Sequence, residues 1–228
     1  MKVGVSFSGS DSTALNAHLY MDALTRYSLP VESVSCCAYT SVPLLLWAYG
    51  LPPEELEELL QAFAAARSPQ DGVRLLERMG IFQRQPKHNL AISCVDAGTG
   101  ITVIFADFLC ADAWNLKVRP LKGQEAHALL ATLSPYDGDE TFALDEMQLC
   151  DFSLRYGCPF FPLKMSGAER LLSFTFTGGH TPAQIAADSL NALTGHHSDL
   201  SYSITPDTKD IQAFFTQEID TIYQKLLF

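Results

Sequence analysis

The sequence is poor in positive charge. Fifteen Lys and Arg stand against 26 Asp and Glu, giving a net charge of −11 over 228 residues. Nucleic-acid binding needs a basic footprint, so this balance argues against nucleic acid as a partner. It argues equally against electrostatic attachment to an anionic lipid surface. Long hydrophobic runs are missing as well. The most apolar stretch, residues 42–51, is ten residues long and contains Pro43 and Gly50. That is too short for a bilayer-spanning helix, so no integral membrane segment is expected. Residues 1–8 lack the apolar core of a signal peptide, and a cytoplasmic location is expected. No Cys-x-x-Cys pair occurs among Cys36, Cys37, Cys94, Cys110, Cys150 and Cys158. A chain of this size needs no disulfide staples, and all six are read as small, reduced core residues. What is present is apolar material: 47% of residues are hydrophobic and only 18% charged. That composition excludes disorder of the whole and supplies a sizeable core.

Hydrophobic periodicity organises the chain. Residues 2–7 alternate as a strand and end in Ser8-Gly9-Ser10-Asp11-Ser12, a run of turn and cap residues. Apolar residues recur at helical spacing over 14–27, a strand is expected over 31–37, and 40–49 is apolar on nearly every side, as in a buried helix. Pro52-Pro53-Glu54-Glu55 opens a further helix to about residue 66. Strands over 90–95 and 101–105 flank Asp96-Ala97-Gly98-Thr99-Gly100, a hairpin signal. A helix is expected near 124–133, with a turn-rich segment over 134–139. A strand over 171–177 precedes Thr181-Pro182-Ala183-Gln184, which reads as a capping box with proline at the first helical position. Residues 201–205 are strand-like, and a last helix carries Ile211, Phe214, Phe215, Ile219, Ile222, Tyr223 and Leu226 on one stripe. Alternating strands and helices with short connections predict one α/β domain over residues 1–228, with a central, mostly parallel sheet and helices on both faces.

In such sheets the ligand site lies beyond the carboxyl ends of the strands. Two loops fit that position, Ser8 to Ala14 after the first strand and Cys36 to Thr40 after the second. The order of elements resembles that of patatin-like phospholipases: strand, Gly/Ser loop, helix, strand, sharp turn, buried helix, then Gly50-Leu51-Pro52-Pro53-Glu54-Glu55-Leu56. The segment with Asp96, Thr99 and Gly100 is similar to the family's strand-turn-strand. Leu149-Cys150-Asp151-Phe152-Ser153, with Pro159 and Gly167-Ala168-Glu169-Arg170 after it, is similar to the segment that holds its catalytic aspartate. The resemblance spans the chain and implies a three-layer fold, a Ser-Asp dyad acting on acyl esters, and no cofactor or metal.

Each of the motifs is altered. The elbow that would hold the nucleophile in G-x-S-x-G reads Cys36-Cys37-Ala38-Tyr39-Thr40, so the nucleophile position falls on Ala38, whose methyl group cannot attack a carbonyl. The oxyanion loop keeps Gly9 but continues with Ser10 and Asp11, which would bring a carboxylate towards a site for negative charge. Asp151 matches the catalytic aspartate, but Phe152 and Ser153 replace the glycines that follow it. With no nucleophile to present, the turn at Ala38 is expected to relax to an ordinary backbone. The resemblance thus implies a homologue without catalysis, acting as a binding or regulatory module towards an acyl or lipid ligand or a protein partner. Competing readings are a lipid acyl hydrolase whose nucleophile has moved to Cys37, Ser41, Ser10 or Ser12 and acts with Asp151, and a structural subunit of an intact patatin-like chain. His196-His197 has no third ligand at metal-binding spacing, so no metal is expected.

Overall fold

A computed structural model describes the chain except residues 111, 113, 114, 136–140, 179, 207, 209 and 228 and the side chain of residue 154. The segment 136–139, most of the expected turn, therefore lies outside the described residues. The core element is β1 (Val3–Gly9), fully buried along its length. It pairs in parallel with β2 (Val31–Cys36) on one side and β8 (Arg170–Phe176) on the other. The sheet continues from β8 to β9 (Leu200–Ile204) and from β2 to β3 (Leu90–Asp96), both in parallel. Beyond β3 lie the antiparallel β4 (Thr102–Phe105) and then β5 (Leu116–Arg119), in the order β5-β4-β3-β2-β1-β8-β9. A hairpin of β6 (Phe142–Leu144) and β7 (Met147–Asp151) joins through β7 to β3. This is the expected α/β architecture, with a mostly parallel sheet between helical layers.

The register explains how the two faces differ. Val5, Phe7, Val34, Cys36, Leu172, Phe174 and Phe176 point one way; Ser6, Ser8, Ser35, Ser173 and Thr175 point the other. The large side chains pack under α1 (Ala17–Arg26) and α9 (Ile211–Leu226), with Phe7 stacked on Phe174 at 5.2 Å and the Tyr20 ring tilted against Phe174 at 5.1 Å. The hydroxyl face lets helices approach closely. A side chain at Gly195, in α8 (Pro182–Gly195), would meet Ser201 Oγ at 2.7 Å, and one at Gly4 would meet Ala168 and Leu163 at 3.0 and 3.1 Å. Ala187, Asn191 and Gly195, four residues apart, form the buried stripe of α8.

The buried helix is α2 (Ser41–Ala48), of which only Trp47 is partly exposed. It is followed by α3 (Pro53–Ala64) and then by α4 (Pro69–Arg78), a helix the sequence reading passed over although Ser68 caps it by accepting from Asp71 N at 3.2 Å. α5 (Glu125–Leu133) falls where expected, and the capping box of Thr181 and Gln184 opens α8. The helix expected from residue 14 starts at Ala17 instead. Asp11 closes a 3-10 turn over Ser12–Asn16 first. Short α6 (Ser153–Tyr156) and α7 (Phe161–Met165) precede β8. No described helix is long and apolar enough to cross a membrane.

The six cysteines are free, but Cys110 is exposed rather than in the core. Cys94 and Cys150 occupy adjacent strands. Cys94 faces Asp151 while Cys150 faces Val95, so the two thiols point to opposite faces of the sheet.

Candidate functional site

The chain leaves β1 for β2 on one side and returns through β8 on the other, so strand order reverses at β1. A crevice is expected at such a point. A cleft of about 1140 Å³ opens there, lined by Ser10 after β1, Ala38 and Tyr39 after β2, the end of α5 from Thr132 to Pro135, Asp151 at the end of β7, and the first turns of α4 and α8.

How Asp151 reaches this cleft follows from strand register. β2 pairs with β3 only over residues 90–92. β7 pairs with β3 over 94–96, where β4 already covers the other edge at 92–95. β7 therefore continues the line of β2 from the opposite direction, and its last residue meets the turn that follows Cys36. Ala38 and Asp151 therefore both line the cleft.

The turn at Ala38 has not relaxed. Cys37 is extended, with φ −148° and ψ 166°, and Ala38 then takes φ +51°. A left-handed backbone at a residue with a Cβ costs about 1–2 kcal/mol. Hydrogen bonds over-determine it here. Ala38 N donates to Thr132 Oγ1 at 2.7 Å, Thr132 Oγ1 donates to Ser93 O at 2.9 Å, and Thr40 Oγ1 donates to Cys37 O at 2.7 Å. At about 1 kcal/mol each, these bonds offset the strain without any catalytic demand. Ser28 and Asp145 also have positive φ, but on exposed turns, whereas Ala38 is buried.

Asp151 is bound to its own turn. It accepts from Ser153 N at 2.9 Å, and Ser153 Oγ lies 3.3 Å from Cys37 Sγ. Burial pushes the Asp151 carboxyl up to about 6, while the N–H and hydroxyl of Ser153 pull it down. Burial, and then the charge of Asp151, hold the Cys37 thiol well above its ordinary range. That disfavours the thiolate a cysteine nucleophile needs.

The loop after β1 departs from the expected arrangement. Gly9 is required by packing, because a Cβ there would lie 2.7 Å from Ala14 Cβ and 2.8 Å from Phe176 Cβ. Ser10 Oγ donates to Asp188 at 3.0 Å, and Gln184 Nε2 donates to Ser10 O at 3.3 Å. Asp11, expected to carry charge into the site, instead caps its own turn. It accepts from the N–H of Thr13 at 2.8 Å and from the Thr13 hydroxyl. It is not among the residues that line the cleft.

Of the alternative nucleophiles, only Ser10 lines the cleft; Cys37 and Ser41 are fully buried and Ser12 is exposed elsewhere. Among the described residues no group of three His, Cys, Asp or Glu side chains is placed to hold a metal. His18 bonds to Leu15 O at 3.2 Å and His88 stacks on Trp47 at 4.2 Å, both local packing roles. Sequence reasoning missed Thr132, Arg67 and the start of α4, and it read Ser153 only as a replaced glycine. Only α4 left a local signal, in its Ser68-Pro69 cap. No family model matches the chain, and no curated protein matches it.

Proposed function

We propose that this chain is a non-catalytic homologue of the patatin-like phospholipases whose cleft binds an acyl ligand, serving a binding or regulatory role. The observation that carries the reading is the combination at Ala38. A buried left-handed turn follows a central strand and opens into a cleft beside a retained carboxylate, Asp151, yet the residue at its apex has only a methyl group. Strain of this kind normally accompanies function. Here the turn persists while the group able to attack an ester is gone. The lining offers Leu133, Pro135, Pro182 and Ala187 to an apolar chain.

The test has two arms. A serine-directed phosphonate should leave the protein unlabelled, and short-chain chromogenic esters should turn over at the background rate. A dodecyl-chain amphiphile should bind with a stoichiometry of one and compete with a fluorescent acyl probe. Stoichiometric labelling of Ser10, or turnover abolished by Asp151→Ala, would replace this reading with that of a hydrolase whose nucleophile has moved. Failure of every acyl probe to bind would remove the ligand assignment.

A further inference from the structure

Among the described residues that line the cleft, only Arg67 and Asp151 carry a formal charge, against −11 for the whole sequence. Asp151 is committed to Ser153 within its own turn. Among the described residues Arg67 has no such partner. It lies between α3 and α4, is exposed, and makes no ion pair or hydrogen bond among the described residues. The nearest acid in sequence on α4, Asp71, is paired with Arg74 at 3.5 Å. Among the described residues, an unpaired guanidinium thus lies on the wall of this cleft, with apolar side chains on the same lining.

A guanidinium presents a planar fork of donors that matches a carboxylate or phosphate. The N–H of Gln70, early in α4 and on the same lining, has no partner within its helix and adds a donor of the same sense. Resting on the acyl-binding reading above, we infer that the cleft selects an anionic amphiphile, with its carboxylate or phosphate on Arg67 and its hydrocarbon portion against Leu133 and Ala187. Arg67 is then the residue that sets head-group specificity.

The experiment compares three single-chain probes of equal length, dodecyl phosphate, laurate and dodecanol, by titration calorimetry below their aggregation limits, with inorganic phosphate as a fourth. The wild-type chain should bind the two anions about fivefold more tightly than the alcohol, the size expected of one partly exposed ion pair. The preference should shrink as salt approaches the molar range. Arg67→Gln should erase it while leaving the affinity for dodecanol unchanged, and Arg67→Lys should retain part of it. Arg67 is exposed, so its replacement is not expected to disturb folding. A preference for anions that survives in Arg67→Gln would overturn the inference, as would inorganic phosphate binding as tightly as dodecyl phosphate. Binding of dodecanol and the anions with equal affinity would overturn it while leaving the acyl-binding reading in place. Binding of none of the three chains would remove both.

Discussion

The backbone N–H of Ala38 donates to the hydroxyl of Thr132 at 2.7 Å, across 94 positions of sequence. Thr132 passes the contact on to Ser93 O at 2.9 Å, so one side chain ties the turn after β2 to the strand beside it. Both residues are buried, and the hydrogen bond helps to hold the turn in its left-handed conformation.

Thr132→Val should therefore weaken the fold more than a lost methyl-sized group would. It leaves Ala38 N–H and Ser93 O buried without this partner, a cost of roughly 1–3 kcal/mol. Thr132→Ser, which keeps the hydroxyl, should cost less. Urea denaturation of the two variants reads the difference, and equal stability of Val and Ser variants would show that the bond does not hold the turn.

Ala38→Gly should raise stability or leave it unchanged. Relief of the left-handed strain contributes about 1–2 kcal/mol, and the greater freedom of glycine in the unfolded chain takes back about 0.5–1. Ala38→Val, with a branched Cβ at φ +51°, should be clearly destabilising. A glycine variant that loses a full kilocalorie would mean that Ala38 is not strained.

Ala38→Ser alone should leave ester hydrolysis near background. The turn is already in the conformation that presents a side chain, and Asp151 lines the same cleft. Under the proposed reading the donor loop is what is missing: Ser10 and Asp11 stand where the family would have glycines, and Ser10 is tied to Asp188 and Gln184. Loss of a single oxyanion donor costs about 10²–10³ in rate. Robust turnover of a chromogenic ester by this variant would show that the loop after β1 still supplies those donors.

Asp151 makes stability depend on pH in a definite direction. Its folded value of about 6 lies above its ordinary value of 3.8, so the folded state holds the proton more tightly than the unfolded state. The contribution is most favourable below about pH 4 and is lost as pH rises through about 6. Comparing Asp151→Asn with the wild type cancels the other carboxylates. The variant should gain on the wild type by roughly 1–3 kcal/mol between those limits, as judged by urea midpoints at matched pH. A difference that stays flat across the range would place the carboxyl at an ordinary value.

Much of the fold was legible locally. The alternation of Val3, Val5 and Phe7 with Gly4, Ser6 and Ser8 marks β1, and Thr181-Pro182 with Gln184 marks the start of α8, because periodicity and capping act within a few residues. The hairpin at Asp96 is of the same kind: its carboxylate accepts from Gly98 N at 3.3 Å and from the Thr99 hydroxyl. That the turn after the second strand centres on Ala38 also came from order along the chain. The sequence alone thus determined the fold class, the position of the turn and the absence of a hydroxyl there. Tertiary structure decided the rest. β7 is short, and only its pairing with β3 beyond the end of β2 brings Asp151 to the turn. Asp11 could be assigned a charge from sequence but not a direction, which its bond to Thr13 N fixes. The left-handed backbone at Ala38 was expected to relax because local preference favours it. It persists because Thr132, far along the chain, supplies a hydrogen bond that local preference does not include.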